Sequence, residues 1–355
     1  MIHLTKREGM PEWKKWMIRA AALLLALVIG GLIMMIVGAN PFKGYATILQ
    51  GSFGSKAYIR AMIKVAVPLL GCALAIAPCF KMRYWNIGAE GQITAGALAT
   101  AAVAFALQDK LPPIVLLPLM AIAAAVAGGI WSFIPGFFKA KFNTNETLFT
   151  LMMNYIIIGV VRYFEAGPWN ASNSKIAQFD PAAWLPKVFG IHCGWIIALV
   201  MVVFVYIYMN YTKHGYEIAV IGDSENTARY AGMNVPRIIM RTTFLSGAMS
   251  GLVGYMLSAG ASNTLTHGIA GGIGFTAITV CWLAQMNPFA MIGISVLLAI
   301  LEKGAETLQT RMNVPASISE ILIGMILLAM LGCEFFINYE MHFERKAKEG
   351  GEVHA

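Results

Sequence analysis

Long apolar runs, each closed by a short polar or turn-forming stretch, repeat along the whole chain. Ala20 to Gly38 and Leu111 to Phe138 carry no charge, and residues 242–301 contain no Asp, Glu, Lys or Arg. A bilayer core of about 30 Å needs about 20 mostly apolar residues per helix. The pattern predicts ten spans, near 17–38, 57–80, 87–107, 113–138, 146–164, 194–211, 241–260, 268–286, 288–303 and 317–338. Turn signals at Ala39-Asn40-Pro41, Leu111-Pro112-Pro113, Asn263 to Gly268 and Asn287-Pro288 separate them. The expected fold is all-α and polytopic. The first run is longer than the apolar core of about 7–15 residues in a signal peptide, so it is expected to stay as a first helix.

Composition agrees. Of 355 residues, 58% are hydrophobic and 12% charged, against about 25% charged in an ordinary soluble chain. A net charge of +8 could suggest nucleic acid, but the cations sit in short connections between apolar runs, as the positive-inside rule requires. The partner this charge implies is the lipid bilayer, not nucleic acid. Sixteen of the 26 Lys and Arg fall in segments placed inside and nine in segments placed outside, with Lys64 within a span. This predicts cytoplasmic termini: a segment 1–16, a transmembrane domain 17–338 with a cytoplasmic loop 212–240, and a tail 339–355. Cys72, Cys79, Cys193, Cys281 and Cys333 form no CxxC pair and read as small hydrophobes rather than metal ligands.

Five spans followed by five would place a second copy inverted. Asn143 to Leu148 at the inner start of span five echoes Pro315 to Leu322 at the outer start of span ten. Gly88-Ala89-Glu90-Gly91 likewise echoes Gly268-Ile269-Ala270-Gly271-Gly272. Glycine-interrupted helices at matching positions of an inverted repeat point to a transport site. Glu90 is the most telling residue there, because a carboxylate in a span is costly and faces a cavity or a partner. Two roles stay open for it: lining a solute path with Asn86 and Gln92, or capping amides freed by the Gly88/Gly91 break. Asn145, Glu146 and Asn154 form a second polar set, and a helix dipole favours Glu146 at its start whatever its function.

No catalytic constellation is present, and the dipeptide Gly-Lys never occurs, so the chain carries no phosphate-cradling Walker sequence. Gly247-xxx-Gly251 reads as a close helix contact. In the longest cytoplasmic loop, Asp223 or Ser224 can cap a short helix from Glu225 to Ala231 that Gly232 ends.

That loop, Gly222-Asp223-xxxx-Ala228-Arg229-Tyr230-Ala231-Gly232-Met233-Asn234-Val235 followed by Leu245-Ser246-Gly247-Ala248-Met249-Ser250-Gly251-Leu252, resembles the cytoplasmic coupling segment of ABC-importer permeases. The family takes up branched-chain amino acids, ribose and nucleosides. Trp85-Asn86-Ile87-Gly88-Ala89-Glu90-Gly91-Gln92 is similar to the stretch carried by its simple-sugar and nucleoside branch. Further matches lie at Lys141-Phe142-xx-Asn145-Glu146 to Leu151-Met152-x-Asn154-Tyr155 and at Pro315 to Ile323. At Cys281-Trp282-Leu283-Ala284-Gln285 the chain departs from the aliphatic or Gly-Arg sequence more usual there.

The resemblance implies a type II importer-like permease that forms the path for a nucleoside or simple sugar. Its substrate path would involve Asn86, Glu90, Gln92, Asn145, Glu146 and Asn154, and its ATPase coupling Gly222, Asp223, Glu225, Ala228, Arg229, Tyr230, Ala231 and Gly232. It also implies a second, homologous permease chain, two ATPase subunits that hold ATP and Mg, and an extracellular solute-binding lipoprotein. No cofactor or metal is expected on this chain. The alternative is an ion-coupled carrier that acts alone and protonates Glu90.

Overall fold

The computed structural model describes residues 2–6, 11–172, 175–176, 178–312, 315, 321–326, 328–329, 332–333, 337 and 339–343. Among the described residues up to 312 the α-helices are, in order, α1 (Glu12–Ile36), α2 (Pro41–Phe53), α3 (Lys56–Lys81), α4 (Ala89–Leu107), α5 (Pro113–Phe142), α6 (Glu146–Ala166), α7 (Gly194–Tyr211), α8 (Lys213–Asp223), α9 (Glu225–Tyr230), α10 (Val235–Tyr255), α11 (Ile273–Leu283) and α12 (Pro288–Met312). A π-helical turn, Met256–Ser262, prolongs α10. Among the described residues seven helices are long and apolar enough to cross a membrane, or eight if α1 and α2, bent by 112°, count as one span. The chain divides into two compact units, Ser52–Lys303 and a second made of 1–51 with 304–355.

In the second unit Met34, Ile48, Leu308 and Leu322 form the core. Strands Ile2–Lys6 and Tyr339–Phe343 pair antiparallel, with Ile2 opposite Phe343 and Lys6 opposite Tyr339. α2 is not among the expected elements. It starts because Asn40 accepts the amides of Phe42 and Lys43 and Pro41 fits the first helical position, while its Lys, Gly and Gln residues keep it out of an apolar-run count. Half of the expected tenth span at 317–338 lies outside the described residues, as do most of Pro315 to Ile323 and all of the tail after 343; residues 321–326, 328–329, 332–333 and 337 are helical.

The core of the unit Ser52–Lys303 is built on α3, α4, α5 and α10, with α5 and α10 packed most extensively. Small residues permit this. A Cβ added at Gly251 would fall on the Ala124 carbonyl oxygen, and one at Gly247 on the Gly128 carbonyl oxygen and the Ser132 side chain. The Gly247-xxx-Gly251 pattern thus marks a real backbone approach, of the kind that lets apolar helices associate where lipid offers no hydrophobic drive. Replacing Gly251 by Leu should force α5 and α10 apart and cost at least the ~1–3 kcal/mol typical of overpacking. A thermal-unfolding scan of the purified permease checks this; an unchanged midpoint would show that the contact is dispensable.

The expected span 268–286 is helical only over the eleven residues of α11. At 1.5 Å per residue that is about 16 Å, half of a hydrocarbon core of about 30 Å. Residues 263–272 instead run as turns, with Gly271 and Gly272 at positive φ. The element that was expected to cross is therefore a broken one. Its glycines and Asn263 leave it no uninterrupted helical backbone long enough to span. α12 runs further than the expected 288–303 because its last turns are polar yet helical.

Candidate functional site

The sequence separating α3 from α4 cannot continue either helix. Residues 83–87 are non-helical, with Arg83 at φ 59°. Backbone turns take the amides of Arg83, Tyr84 and Asn86, and side chains join the segment to its surroundings. Asn86 Oδ1 accepts from the Gly88 amide (3.0 Å) and from Gln92 Nε2 (2.9 Å), while Asn86 Nδ2 donates to Gln92 Oε1 (3.3 Å) and Ser246 Oγ (3.2 Å). The Ile87 amide donates to Thr150 Oγ1 at 3.2 Å. From α6, Asn154 closes the set: its Oδ1 accepts from the Gly91 amide (2.9 Å) and its Nδ2 donates to the Ile87 carbonyl (3.0 Å). Asn86, Gln92 and Asn154 are all buried. A buried polar group persists where it is paired, and here the partners lie within the cluster.

Glu90 faces another way. Its two carboxyl oxygens accept from the backbone amides of Gly272 (2.7 Å) and Gly274 (2.8 Å), at the start of α11. A helix start leaves four amides unpartnered and carries positive dipole charge. Glu90 fills that position from α4, so the capping role open to it in the sequence is exercised on α11 rather than on its own helix. The two glycine breaks, Gly88 to Gly91 and Gly268 to Gly272, meet at this carboxylate. Gly274 is part of the fit, since an added Cβ would sit 2.8 Å from the Cα of Glu90.

The structure brings Asn86, Glu90, Gln92 and Asn154 together but leaves Asn145 and Glu146 apart from them. Asn145 caps α6 by accepting the Leu148 amide (3.1 Å), and Glu146 pairs with Lys139 at 3.0 Å. Glu146 lines instead a cavity of about 270 Å³ with Arg83, Lys139, Gly222, Asp223 and Glu225. It thus belongs with the loop 212–240. The partners Thr150, Ser246, Gly272 and Gly274 are not among the expected site residues. Gly272 lies in the glycine run and Ser246 in the Leu245–Leu252 stretch already singled out in the sequence, whereas Thr150 and Gly274 lie in apolar runs where nothing local marks them.

In the loop itself α8 and α9 form one anchored platform. Thr212 caps α8 through the Gly215 amide, and Ser224 caps α9 through the Thr227 amide (both 3.2 Å). Gly232, at φ +75°, ends the turn. α8 is the element not expected here. Ile218 and Ile221, buried with Ala228, Val235 and Ile239, join the loop to Cys79 and Met82 at the end of α3. Gly222 packs so closely that an added Cβ would strike the Lys81 carbonyl oxygen. Glu217 ties α8 to α10 by accepting from Arg241 at 3.0 Å. Burial pushes its carboxyl up, but hydrogen bonds from Arg241 and His214 prevail and hold it below the ordinary glutamate value. Outward from this base point Asp223, Arg229, Tyr230, Ala231 and Gly232. Arg229 pairs with Glu225 at 2.6 Å, and Tyr230 is 93% exposed.

Membrane-crossing helices, a broken half-helix capped inside the bundle and a rigid platform at one end define a membrane permease. Residues 58–331 match the family described as branched-chain amino acid transport system / permease component. The chain belongs to that family and is the permease subunit of an ABC importer. It is 30% identical to a glucose ABC transporter permease protein of Haloferax volcanii over 366 aligned positions, covering 98% of this chain and 96% of that one. A guanosine ABC transporter permease protein of Bacillus subtilis is 33% identical over 316 positions (86% and 90%). A nucleoside ABC transporter permease protein of Lactococcus lactis is 26% identical over 329 positions (88% and 90%). Family membership decides against the ion-coupled alternative.

Proposed function

We propose that this permease carries a nucleoside or simple sugar inward, driven by ATP hydrolysis on two partner ATPase subunits. A second, homologous permease would complete the path, and an extracellular solute-binding lipoprotein would deliver the solute. The observation that carries the reading is the α8–α9 platform: a short helix capped at both ends, fixed by a buried base and presenting Arg229 and Tyr230 to a partner. Gly222, Asp223, Glu225, Ala228, Ala231 and Gly232 shape that platform. Motion of the ATPases would pass through Ile218 and Ile221 to α3 and α10. The identity of the relatives as glucose, guanosine and nucleoside permeases supports the solute class. Asn86, Gln92 and Asn154 act in this reading as the frame of the path, with Asn145 and Glu146 near its cytoplasmic end. ATP and Mg reside on the partner subunits.

The test is uptake by the assembled importer with its binding protein. Labelled guanosine or glucose should enter only with ATP present, and vanadate should stop it. Uptake of either driven by an ion gradient without ATP, or of neither, would overturn the proposal.

The same reading has ten crossings in an inverted five-plus-five arrangement, a transmembrane domain 17–338 and cytoplasmic ends, segments 1–16 and 339–355. The paired terminal strands, which need both ends on one side, support it, as does the Lys and Arg balance. Single cysteines replacing Lys187 and Lys213, both exposed, in a chain without other cysteines should then label from opposite faces. Lys187→Cys reacts with an impermeant reagent in intact cells, and Lys213→Cys only after lysis. Reaction of both in intact cells would refute the topology.

A further inference from the structure

Backbone that is not helical can lie at membrane depth only if it is buried in protein or lines a water-filled cavity. The lead-in to α11 poses that problem. Gly272 and Gly274 bind Glu90, the neighbour of Gly91, whose amide binds Asn154. Asn154 stands eight residues past the start of α6, about 12 Å along its axis. The turns before α11 therefore run from the far end of α6, where His267 pairs with Glu165 at 2.7 Å, down to Gly272 and Gly274 well inside the membrane. Yet at that deeper end Gly271 is exposed, and a Cβ added at Gly272 would meet nothing within 4 Å. This face of the chain cannot be turned to lipid.

The helix that follows continues the face with rings. Phe275 and Trp282 lie seven residues apart, two helical turns, so they share one side of α11. They are 45% and 40% exposed. Trp85, 45% exposed, stacks on Trp282 with centroids 5.7 Å apart and planes 21° from parallel, and Phe80 backs the pair. From Phe275 to Trp282 is about 10 Å along the helix, the length of a nucleoside. Trp residues at a bilayer surface often serve as anchors. An anchor, however, leaves the exposed glycine turn at the other end of the same helix without a role.

Resting on the nucleoside-or-sugar reading, we propose that the exposed face of α11, from Gly271 and Phe275 to the stacked Trp282 and Trp85, is the wall on which the solute travels, and that it takes a neutral solute with a planar base, a nucleoside. Aromatic faces bind bases by stacking with little regard to base identity. The Asn86–Gln92–Asn154 cluster and Glu90 hold the wall in place from behind.

The assembled importer, supplied with its binding protein, is photolabelled with 8-azidoguanosine and cut at methionine with cyanogen bromide. Adducts should fall on the fragments from Leu257 to Met286 and from Arg83 to Met120, and excess guanosine should suppress them. In uptake assays Trp282→Leu, which keeps an apolar side chain, should raise the half-saturating guanosine concentration about tenfold, and Trp282→Phe should restore most of it. Labelling confined to other fragments, or no suppressible labelling in an importer that takes up guanosine, would overturn the wall whether or not the variants fold. So would unchanged half-saturation in Trp282→Leu. Uptake of glucose but not guanosine would leave the transport reading standing and refute the base-stacking solute. Uptake of neither would end both.

Discussion

Replacing Arg229 and Tyr230 together by Ala should leave the permease folded and remove solute-stimulated ATP hydrolysis by the assembled importer. The two side chains contribute little to their own fold. Tyr230 is almost wholly exposed, and the Arg229–Glu225 pair is a surface i,i+4 pair, of a kind worth about 0.3–0.5 kcal/mol. α9 keeps its Ser224 cap and its buried Ala228 in the double variant. Exposed Tyr and Arg on a rigid base are the side chains that most often dominate a protein interface, where truncation costs about 2 kcal/mol or more each. A loss of that size, taken twice across one interface, would uncouple the ATPases by two orders of magnitude or more. The measurement is ATP hydrolysis with and without the loaded binding protein, beside a melting scan of the permease. Full stimulation in the double variant would remove α9 from the coupling route.

The second large effect is expected at Glu90. Each of its carboxyl oxygens takes one amide of the α11 start. Hydrogen bonds to charged groups contribute about 1.5–3 kcal/mol, and an amide left unpaired in a dry site costs about 1–3 kcal/mol. Glu90→Leu strands both amides inside the membrane, so α11 should lose its position and uptake should fall to background while α3, α4, α5 and α10 still assemble. Glu90→Gln offers one acceptor oxygen and turns an NH2 donor toward the other amide. It should therefore retain partial uptake, between wild type and Leu. Rates of ATP-driven uptake at matched expression rank the three. Full transport by Glu90→Leu would show that the cap is not needed, and a Gln variant as dead as Leu would shift the role from hydrogen bonding to charge.

Much of this protein can be read along the chain, because the signals are local. Apolar length sets α3 to α7, α10 and α12 in place, since a lipid-facing backbone must close its own hydrogen bonds. Ser224 and Gly232 bracket α9 through caps a few residues apart. Gly247 and Gly251 announce a close contact by being small at helical spacing. Such features depend on neighbours within about a turn, and the residue types suffice to state them.

What the folded chain alone decides is who meets whom. Glu90 declares itself as a costly carboxylate needing a partner, but its partners are 182 and 184 positions away. Asn86 finds Ser246 across 160. The segment 268–286 has the composition of a crossing helix and becomes a half-helix because the carboxylate of α4 can cap it midway. Asn145 and Glu146, close in sequence to Asn154, part from it because they stand at the start of α6 about two turns away, where Asn145 caps the helix and Glu146 lies beside Gly222 and Asp223. Apolar content measures how well a segment tolerates lipid, and it is blind to which polar group waits inside the bundle. That choice is made by packing, when the glycines of α5 and α10 let the helices close and bring distant donors within reach of the few acceptors they enclose.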